Sequence, residues 1–196
     1  MCRWWSAGES ITALLGRHRD QLDPDDALVV EASTRAAAID GFTVSGFGAV
    51  FVEVGVDPDL GEIRVRRVAA AFSAGRVINR TLTTSQYIGG LVAGIGMALH
   101  EQTVTDETTG RIIGDGFADY LIPVHADMPE FDIAIVEESD PHIPGGTKGV
   151  GMLGTAGVQA AIANAIHHAI GCRVRHLPIR LEDILANTPV DASTPR

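Results

Sequence analysis

The chain of 196 residues has few cysteines, few cationic side chains and no apolar run long enough to cross a bilayer. Its two cysteines, Cys2 and Cys172, form no C-x-x-C pair, which argues against an iron–sulfur site, a structural zinc site and a disulfide scaffold, and indicates the cytoplasm. A formal net charge of −10 argues against a nucleic-acid surface, which normally carries a basic patch. Residues 88–99 are apolar but too short for a transmembrane helix, and the N-terminus lacks the apolar core of a signal peptide. We therefore expect a soluble protein.

Motifs of a self-contained catalytic site are also missing. The seven histidines show no H-x-x-x-H or H-E-x-x-H spacing that would hold zinc. No serine lies in a G-x-S-x-G turn. The sequence therefore predicts no metal ligands among its side chains and argues against an autonomous hydrolase.

The hydrophobic pattern predicts an α+β fold, a mixed β-sheet with helices packed on one face. Residues 47–72 alternate around a turn and predict a β-hairpin, and residues 131–136 predict a further strand. Apolar residues at helical spacing predict helices over 88–99 and 158–170. A last short strand is predicted at 174–179, followed by a helical turn.

Three regions follow from this pattern. Residues 1–45 are a poorly defined segment in which a short helix begins at residue 10 and residues 28–31 are strand-like. Residues 46–186 form the α+β domain. Residues 187–196 are polar, contain two prolines and predict a disordered tail.

Residues 144–157, here called the glycine loop, contain six glycines and one lysine and lead into the second helix. Glycine lets a backbone approach a ligand, and a helix N-terminus offers unpaired N–H groups, so the loop predicts an anion site. A surface turn that needs positive φ explains the glycines equally well. The match Gly149-x-Gly151-x-x-Gly154 to the dinucleotide fingerprint is weak, because it follows no strand directly and no Asp or Glu occurs between Gly154 and Glu182.

The first predicted helix carries four glycines, each costing up to about 1 kcal/mol relative to alanine. Such a helix usually packs its backbone closely against other parts of the protein, the simpler explanation, or against a cofactor. Thr83 and Gln86, just before it, have the spacing of a capping box.

Several short motifs occur in order along three quarters of the chain. They read S-G-F-G-A-V-F-V-E-V at 45–54, G-R-V-I-N at 75–79, S-Q-Y-I-G-G at 85–90, A-D-Y-L-I-P at 118–123, G-T-K-G-V-G-M at 146–152 and L-P-I at 177–179. Together they resemble the molybdenum hydroxylases, the large molybdopterin-binding subunits of the xanthine dehydrogenase and aldehyde oxidase family. The pattern is most similar to the bacterial three-subunit, aldehyde-oxidising type.

The resemblance implies a molybdenum–molybdopterin cofactor and assigns residues to it. Gln86 would hydrogen-bond the pterin. Four consecutive residues would lie along the cofactor and offer backbone N–H groups: Lys148, Gly149, Val150 and Gly151.

Met152 occupies the position at which relatives carry the glutamate that serves as the catalytic base. General-base help of this kind typically contributes about 10²–10⁴-fold in rate, and a thioether cannot accept the proton. Met152 either marks a site that lacks only its base or is an apolar plug in an abandoned site, for which a flexible thioether is suited. Because the chain is also short, the plug is the favoured interpretation.

The resemblance therefore predicts the C-terminal fragment of a molybdenum hydroxylase subunit, an oxidoreductase for aldehydes or N-heterocycles that takes its hydroxyl group from water. The fragment is expected to be inactive alone, and the alternative is a non-catalytic remnant or binding module with the same fold. The implied partners are an N-terminal half of the large subunit and separate iron–sulfur and FAD subunits, with no nucleic acid and no membrane. For the assembled complex, the family resemblance allows a periplasmic location as well as a cytoplasmic one.

Overall fold

The computed structural model describes residues 10–17, 45–139 and 143–187. The chain divides into two compact units between Ala38 and Ile39. Within the described ranges, no helix combines the length and the apolar content that crossing a bilayer requires.

The first unit contributes one described element, helix α1 (Ile11–Arg17), where the sequence predicts a short helix. The strand-like residues 28–31 and the predicted disordered tail beyond residue 187 lie outside the described residues. The predicted domain limits, 46 and 186, stay a prediction.

The second unit combines strands and helices, which confirms the predicted α+β class. In chain order its described elements are β1 (Phe47–Val56), β2 (Ile63–Ser73), α2 (Arg80–Leu99), β3 (Val104–Thr105), β4 (Ile112–Ile113), a 3₁₀ turn (His125–Asp127), β5 (Glu130–Ile135), a second 3₁₀ turn (Pro144–Gly146), α3 (Val158–Ile170) and α4 (Leu181–Asn187).

Strands β1, β2 and β5 form a mixed sheet in that order. β1 and β2 are antiparallel, which confirms the predicted hairpin, and β5 pairs with β2 in parallel. A short turn is enough to join antiparallel strands, whereas a parallel pair needs a long crossover, which here contains α2. β3 and β4 form a separate two-stranded sheet that was not predicted from the sequence.

One face of the sheet carries the hydrophobic core. Val68 of β2 is paired with Val52 of β1 and with Phe131 of β5, so the three side chains share a face. Phe72 and Tyr87 connect β2 to α2, with ring centroids 4.5 Å apart. α3 contributes the buried side chains Val158, Ile162 and Ile166 to the same cluster. The helices thus cover one face of the sheet, as predicted.

Glycines bring α2 close to the glycine loop and to α3. A Cβ on Gly90 would lie 2.9 Å from backbone atoms of Gly154, and a Cβ on Gly154 would lie 2.6 Å from the carbonyl oxygen of Tyr87. A Cβ on Gly94 would lie 2.6 Å from the Cβ of Val158. Close packing against protein, the simpler explanation of the helix glycines, is therefore confirmed at these positions.

The start of α2 differs from the prediction. Asn79 is its N-cap, and the Asn79 side chain accepts a hydrogen bond of 3.0 Å from the N–H of Leu82. The predicted capping box of Thr83 and Gln86 is therefore wrong, because both residues lie inside the helix. Asparagine is as good a cap as threonine, and the true cap lies one turn earlier.

The predicted strand at 174–179 is also wrong. The N–H of Ile179 donates to the carbonyl oxygen of Ala98 at the end of α2, at 2.7 Å, and the Ile179 side chain is buried. Pro178 follows a cis peptide bond and has no N–H to give to a sheet. Residues 174–179 are therefore hydrogen-bonded to the C-terminal end of α2 instead of to the edge of a strand.

We expect Gly154→Ala to destabilise the protein by about 1–3 kcal/mol, as overpacking of a filled interior does. The added Cβ would meet backbone atoms, which cannot turn aside as a side chain can. Gly149→Ala is the matched control in the same loop, because nothing lies within 4 Å of a Cβ there. Urea unfolding of both variants measures the difference, and equal midpoints would contradict the close contact.

Candidate functional site

Two backbone hydrogen bonds hold the glycine loop to the connector between β2 and α2. The N–H of Arg76 donates to the carbonyl oxygen of Gly146 at 2.7 Å, and the N–H of Lys148 donates to that of Ala74 at 2.8 Å. These bonds fix the first half of the loop beside the entry to α2.

Gly75 lies at the centre of this attachment. Its φ is +70°, and a Cβ there would lie 2.2 Å from the carbonyl oxygen of Gly146. Both the positive φ and the close approach require glycine at this position. Gly145 and Gly146 also have positive φ, so the turn explanation of the glycines holds for this half of the loop.

Gln86 attaches the second half of the loop to α2. Its side-chain Nε2 donates to the carbonyl oxygen of Gly151 at 3.0 Å. The structure therefore brings together two of the predicted cofactor residues that are 65 positions apart. Within the described residues this is the one hydrogen bond of the Gln86 side chain, which leaves its oxygen and a second N–H hydrogen for a ligand.

Three of the four expected backbone donors are available. Among the described residues, the N–H groups of Gly149, Val150 and Gly151 donate to no protein acceptor. Gly149 and Gly151 are exposed, and a Cβ on either would meet nothing within 4 Å. The N–H of Lys148 differs from the expectation, because the bond to Ala74 uses it within the fold.

The side chain of Lys148 makes an ion pair with Glu138, three residues after the end of β5. The lysine side chain is only 10% exposed and the glutamate side chain 30% exposed. Glu138 was not among the residues predicted from the sequence. The clue was weak: Lys148 is the one lysine of the chain, and two consecutive glutamates follow the predicted strand.

Met152 lies next to the available donors and is 72% exposed. Its carbonyl oxygen accepts from the N–H groups of Thr155 and Ala156, at 3.1 and 3.3 Å, so its backbone belongs to a turn. The thioether is thus largely exposed in the described part of the chain, and the apolar plug stays a prediction.

A small cavity of about 170 Å³ opens between the connector, the first turn of α2 and the glycine loop. Arg76, Ile78 and Leu82 line it together with Lys148 and Val150. Sites that enclose a small molecule usually have about 300–1,000 Å³. Ile78 and Leu82 are strongly exposed, so the described residues leave this cavity open to one side.

Other candidate chemistry is absent from the described residues. They contain no group of three or more His, Cys, Asp or Glu side chains that could hold a metal ion. Burial raises the pKa of the Cys172 thiol, which disfavours the thiolate and a role as a nucleophile. Burial likewise raises the pKa of the Tyr87 hydroxyl.

Comparison with known proteins identifies the family of the chain. Residues 20–129 match the molybdopterin cofactor-binding domain family. The aldehyde oxidoreductase molybdenum-binding subunit PaoC of Escherichia coli K12 is 44% identical over 146 residues, which are 74% of this chain and 20% of that protein. Subunit gamma of the 6-hydroxypseudooxynicotine dehydrogenase complex of Paenarthrobacter nicotinovorans is 40% identical over 143 residues, 71% of this chain and 18% of the relative.

Among solved structures, the aldehyde oxidoreductase of Desulfovibrio desulfuricans ATCC 27774 superposes with a TM-score of 0.67 at 32% identity. The match covers 74% of this chain and 16% of that one. The chain thus spans about a fifth of the length of the relatives it matches. With the family match over more than half of its residues, the chain belongs to the molybdopterin cofactor-binding domain family of the molybdenum hydroxylases.

Proposed function

We propose that the chain provides one wall of the molybdopterin site of a molybdenum hydroxylase that oxidises aldehydes or N-heterocycles with a hydroxyl group from water. The observation that carries this proposal is the hydrogen bond between Gln86 and Gly151. It joins two motifs that are far apart in sequence and that the family resemblance assigns to the same cofactor.

The groups at this wall suit the proposed cofactor. The available N–H groups of residues 149–151 and the second N–H hydrogen of Gln86 are donors, and a pterin with its phosphate offers nitrogen and oxygen acceptors. The glycines on either side of Val150 have no side chain and no close neighbour, so such a ligand can approach the backbone. When bound, the cofactor supplies the two-electron redox chemistry, while these residues bind and orient it.

Met152 supports the proposal that the chain lacks the catalytic base. Its thioether holds no proton near neutral pH and accepts none, so position 152 contributes no acid–base step. Since Met152 is exposed beside the donors, the site would be formed but chemically weakened.

Assembly with further chains is part of the proposal. Large apolar side chains are exposed near the site, and they need a covering surface: Ile78, Leu82 and Met152. The relative named as subunit gamma of a dehydrogenase complex supports partners in general. We infer an N-terminal half of the large subunit, with iron–sulfur and FAD subunits, as those partners.

A second candidate is a non-catalytic binding module with the same fold. It is favoured by Met152, which stands at the position where the family resemblance implies a glutamate. The two functions differ in whether restoring a carboxylate restores turnover.

The purified chain should hold far less than one molybdenum per molecule. Its cavity at the site is about 170 Å³, too small to bury a cofactor of this size. Co-expression with the proposed N-terminal half should raise the metal content towards one. Elemental analysis of both preparations is the measurement, and near-stoichiometric molybdenum in the chain alone would show that no partner is needed.

Met152→Glu should raise aldehyde turnover of the assembled complex by up to about 10²–10⁴-fold, because it returns a proton acceptor to the site. Since Met152 is 72% exposed, the stability of the isolated chain should change by no more than about 0.5 kcal/mol. Met152→Gln is the matched control, with similar size and no base, and should give no gain.

Turnover is followed with a dye acceptor on samples matched for molybdenum content. If Met152→Glu binds molybdenum equally well and turns over no faster than Met152→Gln, the chain is the non-catalytic module. Gln86→Ala should instead lower the molybdenum content before it changes turnover per molybdenum, since its amide binds and does no acid–base chemistry.

A further inference from the structure

Two consecutive glutamates after β5 each form an ion pair with a basic side chain. Glu137 pairs with Arg80, the first residue of α2, at 3.1 Å, and Glu138 pairs with Lys148 of the glycine loop. Neither glutamate belongs to a motif that carries the family resemblance. The end of β5 is thereby connected to both elements that hold the proposed cofactor.

The two ion pairs differ in burial. The side chains of Arg80 and Glu137 are 65% and 68% exposed, and a pair in that environment contributes little. The side chains of Lys148 and Glu138 are 10% and 30% exposed. Water and salt screen a largely buried pair much less than an exposed one, so this pair constrains its surroundings more.

Lys148 immediately precedes the three available donors and is fixed at two points. Its N–H is bound to Ala74 and its ammonium group to Glu138. The next firm attachment is the carbonyl oxygen of Gly151, which Gln86 holds. Between these attachments lie two glycines with no close neighbour and Val150, which is partly buried against the core.

We propose that Glu138 is a positioning residue, which, through Lys148, holds the N–H groups of residues 149–151 in the arrangement that receives the cofactor. The pairing also leaves the Lys148 ammonium group neutralised by Glu138, so binding at this wall depends on the direction of the N–H groups more than on a lysine charge. The cofactor part of this inference rests on the proposed function, whereas the positioning part does not.

The test compares Glu138→Gln with Glu137→Gln in the full chain. Because Lys148 is the one lysine, selective ¹³C labelling of lysine gives a single Cε signal that reports on the pair. Glu138→Gln should move this signal and the amide signals of Gly149, Val150 and Gly151, while circular dichroism stays unchanged. Glu137→Gln should leave all of them in place. Lys148→Arg, which keeps a cation opposite Glu138, should leave the amide signals close to those of the unaltered chain.

Unchanged amide signals in a folded Glu138→Gln variant would overturn the positioning role. If that variant does not fold, Glu138→Asp serves in its place, because it keeps the charge and withdraws the carboxylate by one methylene group. If Glu138→Asp moves the Lys148 Cε signal but leaves the amide signals of residues 149–151 unchanged, the positioning role of Glu138 is likewise overturned.

A second measurement tests the link to the cofactor. In the assembled complex, Glu138→Gln should weaken molybdenum retention by about 10–100-fold, the usual cost of losing a partner that orients a direct ligand. Glu137→Gln should retain molybdenum as the unaltered complex does. Equal retention in both variants overturns the cofactor link. If neither the unaltered complex nor any variant binds molybdenum, the proposed function is wrong. The positioning role of Glu138 is then decided by the amide signals alone.

Discussion

The close backbone contact between Gly90 and Gly154 is the constraint on which the site depends. No side chain larger than hydrogen fits at either position without displacing backbone atoms. This contact brings the loop near enough to α2 for the Gln86 amide to reach the carbonyl oxygen of Gly151. Glycines that weaken the helix as an isolated element therefore serve the tertiary contact that forms the site.

The glycine loop uses some of its backbone groups within the fold and leaves others available. Its first half is used internally, by the bonds of Gly146 and Lys148 to the connector after β2. The donors that follow are left without protein acceptors among the described residues. Because exposed N–H groups are satisfied by water until a ligand replaces it, such a segment can bind acceptors without refolding.

Local patterns predicted the parts of the fold that depend on local periodicity. The hairpin and the two long helices follow from alternation and from helical spacing, and the family motifs selected Gln86 and the loop. Asparagine and threonine both cap helices, and the patterns did not decide between Asn79 and Thr83. They also predicted a strand at 174–179, where the chain instead bonds to the end of α2. The pair of Lys148 and Glu138 was missed because nothing local to either residue determines that a buried contact forms between them.

We infer that the backbone of residues 149–151 receives a molybdopterin cofactor in a site that a partner chain completes. Hydrogen exchange at these three amides tests it most directly, with the chain alone and in complex with a molybdenum-loaded partner. We expect fast exchange in the chain alone and strong protection in the loaded complex, with much less protection when the partner carries no cofactor. Equal exchange at these amides in the loaded and cofactor-free complexes would contradict it.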